Sequence, residues 1–140
     1  MESQDRPKVG VGCLILKDGK VLLGKRKGSF DADTYDGTGG SLEFGESIED
    51  GLRREVREEA GIEIGTPHLL CVLNYRGVPG KHFIGIAFVA EWKSGEPVVC
   101  EPEKRESWDW YDLDNLPAPL FPPVAWHIEA YKTGRNFFDN

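Results

Sequence analysis

Residues 48–60 predict an amphipathic helix that carries acidic side chains on its apolar side. Ser47 is a suitable N-cap, Asp50 stands at the capping-box position three residues later, and Gly61 is suited to ending the helix. At about 100° per residue, the apolar side chains fall in one arc, which a surface helix turns towards the core. The same arc contains or borders three carboxylates, those of Glu55, Glu58 and Glu59.

These three glutamates require a partner. Side chains three and four residues apart on a helix face one another, so their like charges repel, and partial burial raises the cost of each charge. A divalent cation resolves both problems, and carboxylate oxygens suit Mg²⁺ or Mn²⁺. Arg54 projects near Glu58 and can orient one carboxylate. The residues alone leave two interpretations open, a metal site and an ordinary solvated face.

The chain before this helix predicts a hairpin and a long loop. Residues 9–16 and 21–26 are mostly apolar and are joined through the turn pair Asp18-Gly19, which indicates two antiparallel strands. Residues 28–45 are rich in Gly, Ser and Asp and predict a loop, with at most a short extended piece near Tyr35. Because loops of this length are usually functional, we expect this one to border a site.

The chain after the helix predicts further strands and one more helix. Strands are expected at 68–76, 81–92 and 106–112, and a second helix from Pro123 to Tyr131. We therefore expect one α+β domain over residues 1–140, with its helices and sheet packed into layers.

The charge of the chain limits its partners. The formal net charge is −7, which disfavours nucleic-acid polymers and anionic membranes. No apolar run is long enough to cross a bilayer, and no signal-peptide pattern stands at the start, so we expect a cytoplasmic protein. Cys13, Cys71 and Cys100 lie far apart beside apolar residues, which predicts reduced core thiols.

The loop and the helix together match a known motif. Its defined positions are Gly40, Glu46, Arg54-Glu55-Val56, Glu58-Glu59-Ala60 and Gly61-Ile62. This pattern resembles the Nudix box, and the order of the predicted elements resembles the Nudix fold, an α/β/α sandwich, over essentially the whole chain. The segments 23–26, 42–46 and 101–110 are similar to plant and animal Nudix enzymes that hydrolyse nucleoside triphosphates, including oxidised dGTP. The resemblance therefore implies a metal-dependent pyrophosphohydrolase of small nucleotides.

The resemblance also implies roles within the box. It assigns the catalytic Mg²⁺ or Mn²⁺ to Glu55, Glu58, Glu59 and the carbonyl of Gly40. Arg54 orients these carboxylates, Glu46 supports the junction of loop and helix, and Gly39 keeps backbone close to the metal. Two positions differ from the usual pattern, because Gly37-Thr38 stands where relatives have Leu-Pro and Ser41 follows the glycines. Without the proline, ordering the loop costs more entropy.

Residues outside the box supply further candidates. A glutamate of the 101–106 segment can act as base or additional ligand, and we select Glu103. Phe121 is a candidate for stacking on the base, although packing is the alternative. Further candidate contacts to the substrate are Lys25, Arg26, Asn74 and His82, each with a structural alternative.

Other substrates stay open at this point. ADP-ribose, a dinucleotide, a pterin triphosphate and an isoprenyl diphosphate all contain the same bond type. A non-catalytic module that senses a nucleotide is a further alternative, against which the complete set of box glutamates argues. A homodimer is plausible for the family, and the sequence locates no interface.

Overall fold

The first two strands form the predicted hairpin. In the computed structural model, which describes residues 5–28 and 31–140, β1 (Lys8–Lys17) pairs antiparallel with β2 (Lys20–Lys25). The turn places Asp18 at φ 52° and Gly19 at φ 78°, which is the geometry that a two-residue hairpin loop of this twist requires.

The described residues contain nine strands and two helices. The helices are α1 (Ile48–Ala60) and α2 (Pro122–Thr133). The other strands are β3 (Tyr35–Asp36), β4 (Thr38–Ser41), β5 (Glu63–Ile64), β6 (His68–Tyr75), β7 (Phe83–Ser94), β8 (Asp109–Asp112) and β9 (Phe137–Asp139). The main strand order is β3-β2-β1-β7-β6-β9, while β4, β5 and β8 pair with β1, β7 and β2 respectively.

Alternation along β1 divides the core into two layers. Val11, Cys13 and Ile15 belong to the apolar cluster that includes Leu52 and Val56 of α1. The intervening Leu14 and Leu16 belong to a cluster that contains Val124 and Ile128 of α2. Since successive side chains of a strand point to opposite faces, the sheet lies between the two helices. The expected α/β/α sandwich is thus confirmed.

Both ends of α1 are fixed by the predicted residues. The Ser47 side chain accepts a hydrogen bond from the Asp50 N–H at 3.1 Å, and Gly61 ends the helix at φ 68°. Leu52 and Val56 are buried as expected, whereas Ile48 is 37% exposed at the first turn. No helix in the described part of the chain is long and apolar enough to cross a membrane.

Several predicted boundaries are wrong. The segment 28–45 contains the expected β3 but also β4, whose Gly39 and Gly40 pair with Gly12 and Val11 of β1. The predicted strand 106–112 begins only at Asp109, because Glu106 donates its N–H to Lys25 outside the regular ladder. β5 and β9 were not predicted, and Cys100 is exposed rather than in the core.

Candidate active site

An open cavity lies beside the glycine-rich strand. Its volume is about 570 Å³, and its wall is formed by residues of β1, β4, β7, α2 and the segment 103–105. Gly39, Gly40 and Glu59 lie in one part of the wall, while Tyr75, Phe83 and Phe121 supply apolar surface. The cavity therefore combines an acidic region with space for an apolar or aromatic group.

Gly40 allows the Glu55 carboxylate to approach the backbone of β4. An ideal Cβ on Gly40 would lie 2.5 Å from Glu55 Oε1 and closer still to Oε2. The Glu55 side chain is 14% exposed, and this burial raises the pKa of its carboxyl group, against the opposing effect of the neighbouring Arg54. Only a residue without a side chain leaves room for this contact.

Arg54 organises the acidic side of α1. Its guanidinium donates to both carboxylate oxygens of Glu46, at 2.6 Å and 3.0 Å, and to Glu55 Oε1 at 2.9 Å. It also donates to Glu58 Oε1 at 3.2 Å and to the Ser41 carbonyl at 3.1 Å. These hydrogen bonds lower the pKa of Glu46 to about 2 and raise that of Arg54. One guanidinium therefore fixes three carboxylates relative to β4.

Glu59 is the most deeply buried carboxylate of the three. Burial raises its pKa to about 8, although the Arg105 charge and the hydrogen bond from Gly39 act in the opposite direction. The Gly39 N–H donates to Glu59 Oε1 at 2.7 Å, and Arg105 Nη2 lies 3.7 Å from Oε2. The glycine strand and α1 are thus joined through this side chain.

The donor set fits a hard divalent cation. Glu55 and Glu59 carry partly buried carboxylates, Glu58 is 51% exposed on the same helix, and the Glu55 carboxylate reaches the backbone of β4 at Gly40. Within residues 5–28 and 31–140, no group of three or more His, Cys, Asp and Glu side chains already forms a metal-binding cluster. Arg54 instead holds Glu55 and Glu58, so gathering the three carboxylates requires their side chains to rearrange.

Comparison with known proteins decides the family. A family model described as the NUDIX domain matches residues 6–132. The chain belongs to the NUDIX family. The motif from Gly40 to Ile62 is therefore a Nudix box, as the sequence predicted.

Three similar Nudix proteins illustrate the range of the family. The NAD-capped RNA hydrolase NudC of Stutzerimonas stutzeri is 36% identical over 135 residues, covering 94% of this chain but 48% of its own. The oxidized purine nucleoside triphosphate hydrolase of Mus musculus is 34% identical over 111 residues, covering 78% of this chain and 69% of its own. A MutT NUDIX hydrolase from Burkholderia pseudomallei superimposes with a TM-score of 0.85 at 36% identity, covering 90% and 98% of the two chains. The chain thus spans about half the length of the first of these relatives.

Two predicted contacts outside the Nudix box, Arg26 and Phe121, line the cavity together. The Arg26 guanidinium lies over the Phe121 ring at 4.2 Å and donates to Asp36 Oδ2 at 2.9 Å. One face of Phe121 is therefore covered by a cation, and its edge contacts Tyr75. Lys25, by contrast, is not among the described residues that line the cavity, since its ammonium pairs with Asp33 and Glu106.

The three glutamates of the 101–106 segment occupy different places. Glu103 is exposed and lies in the wall of the cavity beside Lys104. The charge of Glu101 contributes to the raised pKa of Glu55, and its carboxylate pairs with Lys104 at 3.7 Å. Glu106 pairs with Lys25. Glu103 thus borders the cavity, whereas Glu101 is the one that acts electrostatically on a Nudix-box carboxylate.

Asn74 and His82 are paired with each other away from the cavity. His82 shares a short hydrogen bond with the Asn74 side chain, which also donates to Asp139 Oδ1 at 3.0 Å. Neither is among the described residues of the cavity wall. Strand alternation explains the difference for Asn74, because its neighbours Leu73 and Tyr75 line the cavity and the side chain between them points to the opposite face of β6.

Two cavity residues were missed from the sequence. Arg105 is 7% exposed, although it stands in a segment rich in charged residues. His127 of α2 lies against Gly12, where burial lowers the pKa of the imidazole to about 4, although the nearby Asp36 raises it. Gly12 is the sequence feature that could have indicated a close contact on β1, since an ideal Cβ at this position would lie 3.2 Å from the His127 imidazole.

Proposed function

We propose that this chain hydrolyses a phosphoanhydride bond of a nucleoside triphosphate, including an oxidised one, releasing the nucleoside monophosphate and pyrophosphate. The observation that carries the proposal is the contact between Gly40 and the partly buried Glu55 at the wall of the cavity. Partly buried carboxylates that lie this close to the backbone of a glycine are suited to binding a cation and, through it, a polyphosphate. The aromatic surface of the same cavity has the character that a nucleobase requires.

The side chains at the proposed site have two roles, binding of the cation and orientation of its ligands. Glu55, Glu58, Glu59 and the Gly40 carbonyl would hold Mg²⁺ or Mn²⁺, which when bound neutralises phosphate charge and lowers the pKa of an attacking water. Arg54 sets the orientation of Glu55 and Glu58 through its hydrogen bonds. In such a reaction the protein takes little direct part in making or breaking bonds. Positioning of the metal-binding carboxylates is therefore its main contribution to the rate.

Glu103 and the basic residues around it define the mouth of the cavity. We propose Glu103 as the acidic residue outside the Nudix box that approaches the reacting water, with Glu101 as the competing position because its charge acts on Glu55. Arg26, Lys27 and Lys104 line the cavity and supply positive charge for phosphates. Phe121, which lines the cavity, is the residue against which we place the base.

A substrate panel tests this proposal. Product formation is followed by ion-exchange chromatography, with and without Mg²⁺, for nucleoside triphosphates, oxidised dGTP, ADP-ribose, a dinucleotide, a pterin triphosphate and an isoprenyl diphosphate. We expect turnover of the triphosphates, dependent on Mg²⁺. Preferred turnover of another diphosphate would replace the proposed substrate, and binding without turnover across the panel would identify a nucleotide sensor.

Two variants of one helix serve as test and control. We expect Glu58→Gln to lower turnover about a hundredfold, because one charged ligand of the proposed metal site is lost. Glu49→Gln removes an exposed carboxylate of α1 that pairs with Arg53 and should leave turnover unchanged.

A further inference from the structure

Arg105 is a buried cation that contacts both the backbone before the glycine strand and a Nudix-box carboxylate. Its guanidinium donates from Nη1 to the Gly24 carbonyl at 3.3 Å and to the Asp36 carbonyl at 3.4 Å. From Nη2 it donates to the Gly37 carbonyl at 3.4 Å and lies 3.7 Å from Glu59 Oε2. Removing such a charge from water is energetically unfavourable, so a buried guanidinium needs this set of partners.

The neighbouring residues leave room for this guanidinium and contact it. An ideal Cβ on Gly24 would lie 2.5 Å from Arg105 Cδ, so the side chain reaches its partners only past a glycine. The guanidinium carbon lies 4.2 Å from the centre of the Trp108 ring. Trp108 in turn donates from Nε1 to the backbone carbonyl of Glu59 at 3.0 Å. Arg105 and Trp108 therefore hold the side chain and the backbone of the same glutamate.

From this geometry we propose that Arg105 is a positioning residue, which fixes the Gly37–Gly39 backbone and the Glu59 carboxylate relative to one another. The proposal rests on the function proposed above. Arg105 contacts the Gly37 carbonyl and the Glu59 carboxylate, and Glu59 accepts from the Gly39 N–H at 2.7 Å. These contacts form a continuous connection from Gly37 through Glu59 to Gly39. Because glycines stand on both sides of Thr38 and restrict the backbone little, this connection supplies an order that the local sequence does not.

Arg105→Met tests this role because methionine keeps an unbranched side chain but removes every hydrogen bond of the guanidinium. We expect kcat at saturating Mg²⁺ and substrate to fall at least tenfold. In the metal-free protein, we expect hydrogen exchange of the Gly39 amide to accelerate at least tenfold, while the Leu73 amide in β6 exchanges as before. Arg105→Lys, which keeps the charge but loses the planar fork, should be intermediate.

Arg53→Met is the matched control. Arg53 also bridges backbone carbonyls, donating to those of Ile64 at 2.7 Å and Gly65 at 3.2 Å, but it lies outside the cavity wall of the described chain. Its loss should lower the melting temperature without changing kcat or exchange at Gly39. If Arg53→Met lowers kcat as much as Arg105→Met does, the role of Arg105 is only structural.

Chemical rescue is an independent test, and Arg105→Lys, which keeps the buried charge, replaces Arg105→Met if the latter does not fold. Arg105→Ala leaves space for a free guanidinium ion, which should restore kcat several-fold with a saturable dependence while an equal concentration of sodium ion does not. Normal kcat and unchanged Gly39 exchange in the Arg105 variants would overturn the proposal. If the unmodified protein turns over no nucleotide, the proposed function fails, and the exchange rates alone still decide whether Arg105 fixes Gly39.

Discussion

Replacing Gly40 with alanine introduces the smallest side chain at the point where Glu55 approaches the backbone. The new Cβ would lie 2.5 Å from Glu55 Oε1, whereas ordinary contacts begin at 3.4 Å. The carboxylate must therefore retreat by about 1 Å, the difference between these distances. Gly40 is not among the residues with positive φ, so alanine fits the backbone of β4.

This displacement should affect turnover much more than stability. The atoms that must move are the end of a flexible side chain, so we expect the melting temperature to change by no more than a few degrees. A misplacement of about 1 Å in a reacting arrangement lowers the rate on the order of a hundredfold, equivalent to about 2.7 kcal/mol in the activation barrier. We therefore expect kcat of Gly40→Ala to fall about a hundredfold.

The assay is pyrophosphate release at saturating Mg²⁺ and substrate, with the melting temperature measured by calorimetry. Gly65→Ala is the matched control, since its Cβ would meet only the Glu91 carbonyl at 3.6 Å, an ordinary contact. The control should retain its kcat. If Gly40→Ala keeps kcat within twofold of the unmodified protein, the close approach of Glu55 has no part in the reaction.

Three further predictions concern other residues of the site. Arg54→Met should lower kcat at least tenfold, measured by the same assay, because Glu55 and Glu58 lose their shared donor; unchanged kcat would contradict its orienting role. Asn74→Ala should leave KM unchanged, because that side chain bonds to Asp139 at the sheet edge; a raised KM would place it in the binding site. The pKa of His127 falls to about 4 on folding, so the unfolded state binds more protons below pH 6.5 and stability falls from there towards pH 4. The loss is at most about 3 kcal/mol, and denaturant unfolding of His127→Gln should lack this component; identical pH dependence in the two proteins would refute it.

Local signals predicted the elements whose bonds are formed between near neighbours in sequence. The Asp18-Gly19 turn fixes the first hairpin, and Ser47 and Gly61 fix the two ends of α1. β4 was not predicted, because a Thr-Gly-Gly-Ser segment has little intrinsic strand preference and is ordered by pairing with β1. The three residues of β9 pair with β6, more than sixty positions away, and no local pattern encodes such a partner.

The acidic arc of α1 was predictable for the same reason, since helix periodicity alone places Glu55 and Glu59 on its buried side. The burial of Arg105 was not, because a run of charged residues ordinarily lies on the surface, and its partners come from β2 and the segment before β4. Asn74 and His82 were predicted to contact the substrate because their strands were expected to line the site. Which face of β6 borders the cavity depends on packing between distant parts of the chain, and Leu73 and Tyr75, rather than Asn74, lie on that face.

The carboxylates of α1 are proposed to support hydrolysis of a phosphoanhydride bond through a divalent cation. This role is tested most directly by phosphorus NMR of a nucleoside triphosphate incubated with chelator-treated protein before and after Mg²⁺ is added. The role predicts a stable triphosphate spectrum at first, and signals of nucleoside monophosphate and pyrophosphate after Mg²⁺. An unchanged spectrum after Mg²⁺ with every triphosphate of the panel, or equal hydrolysis in the presence of chelator, would contradict it.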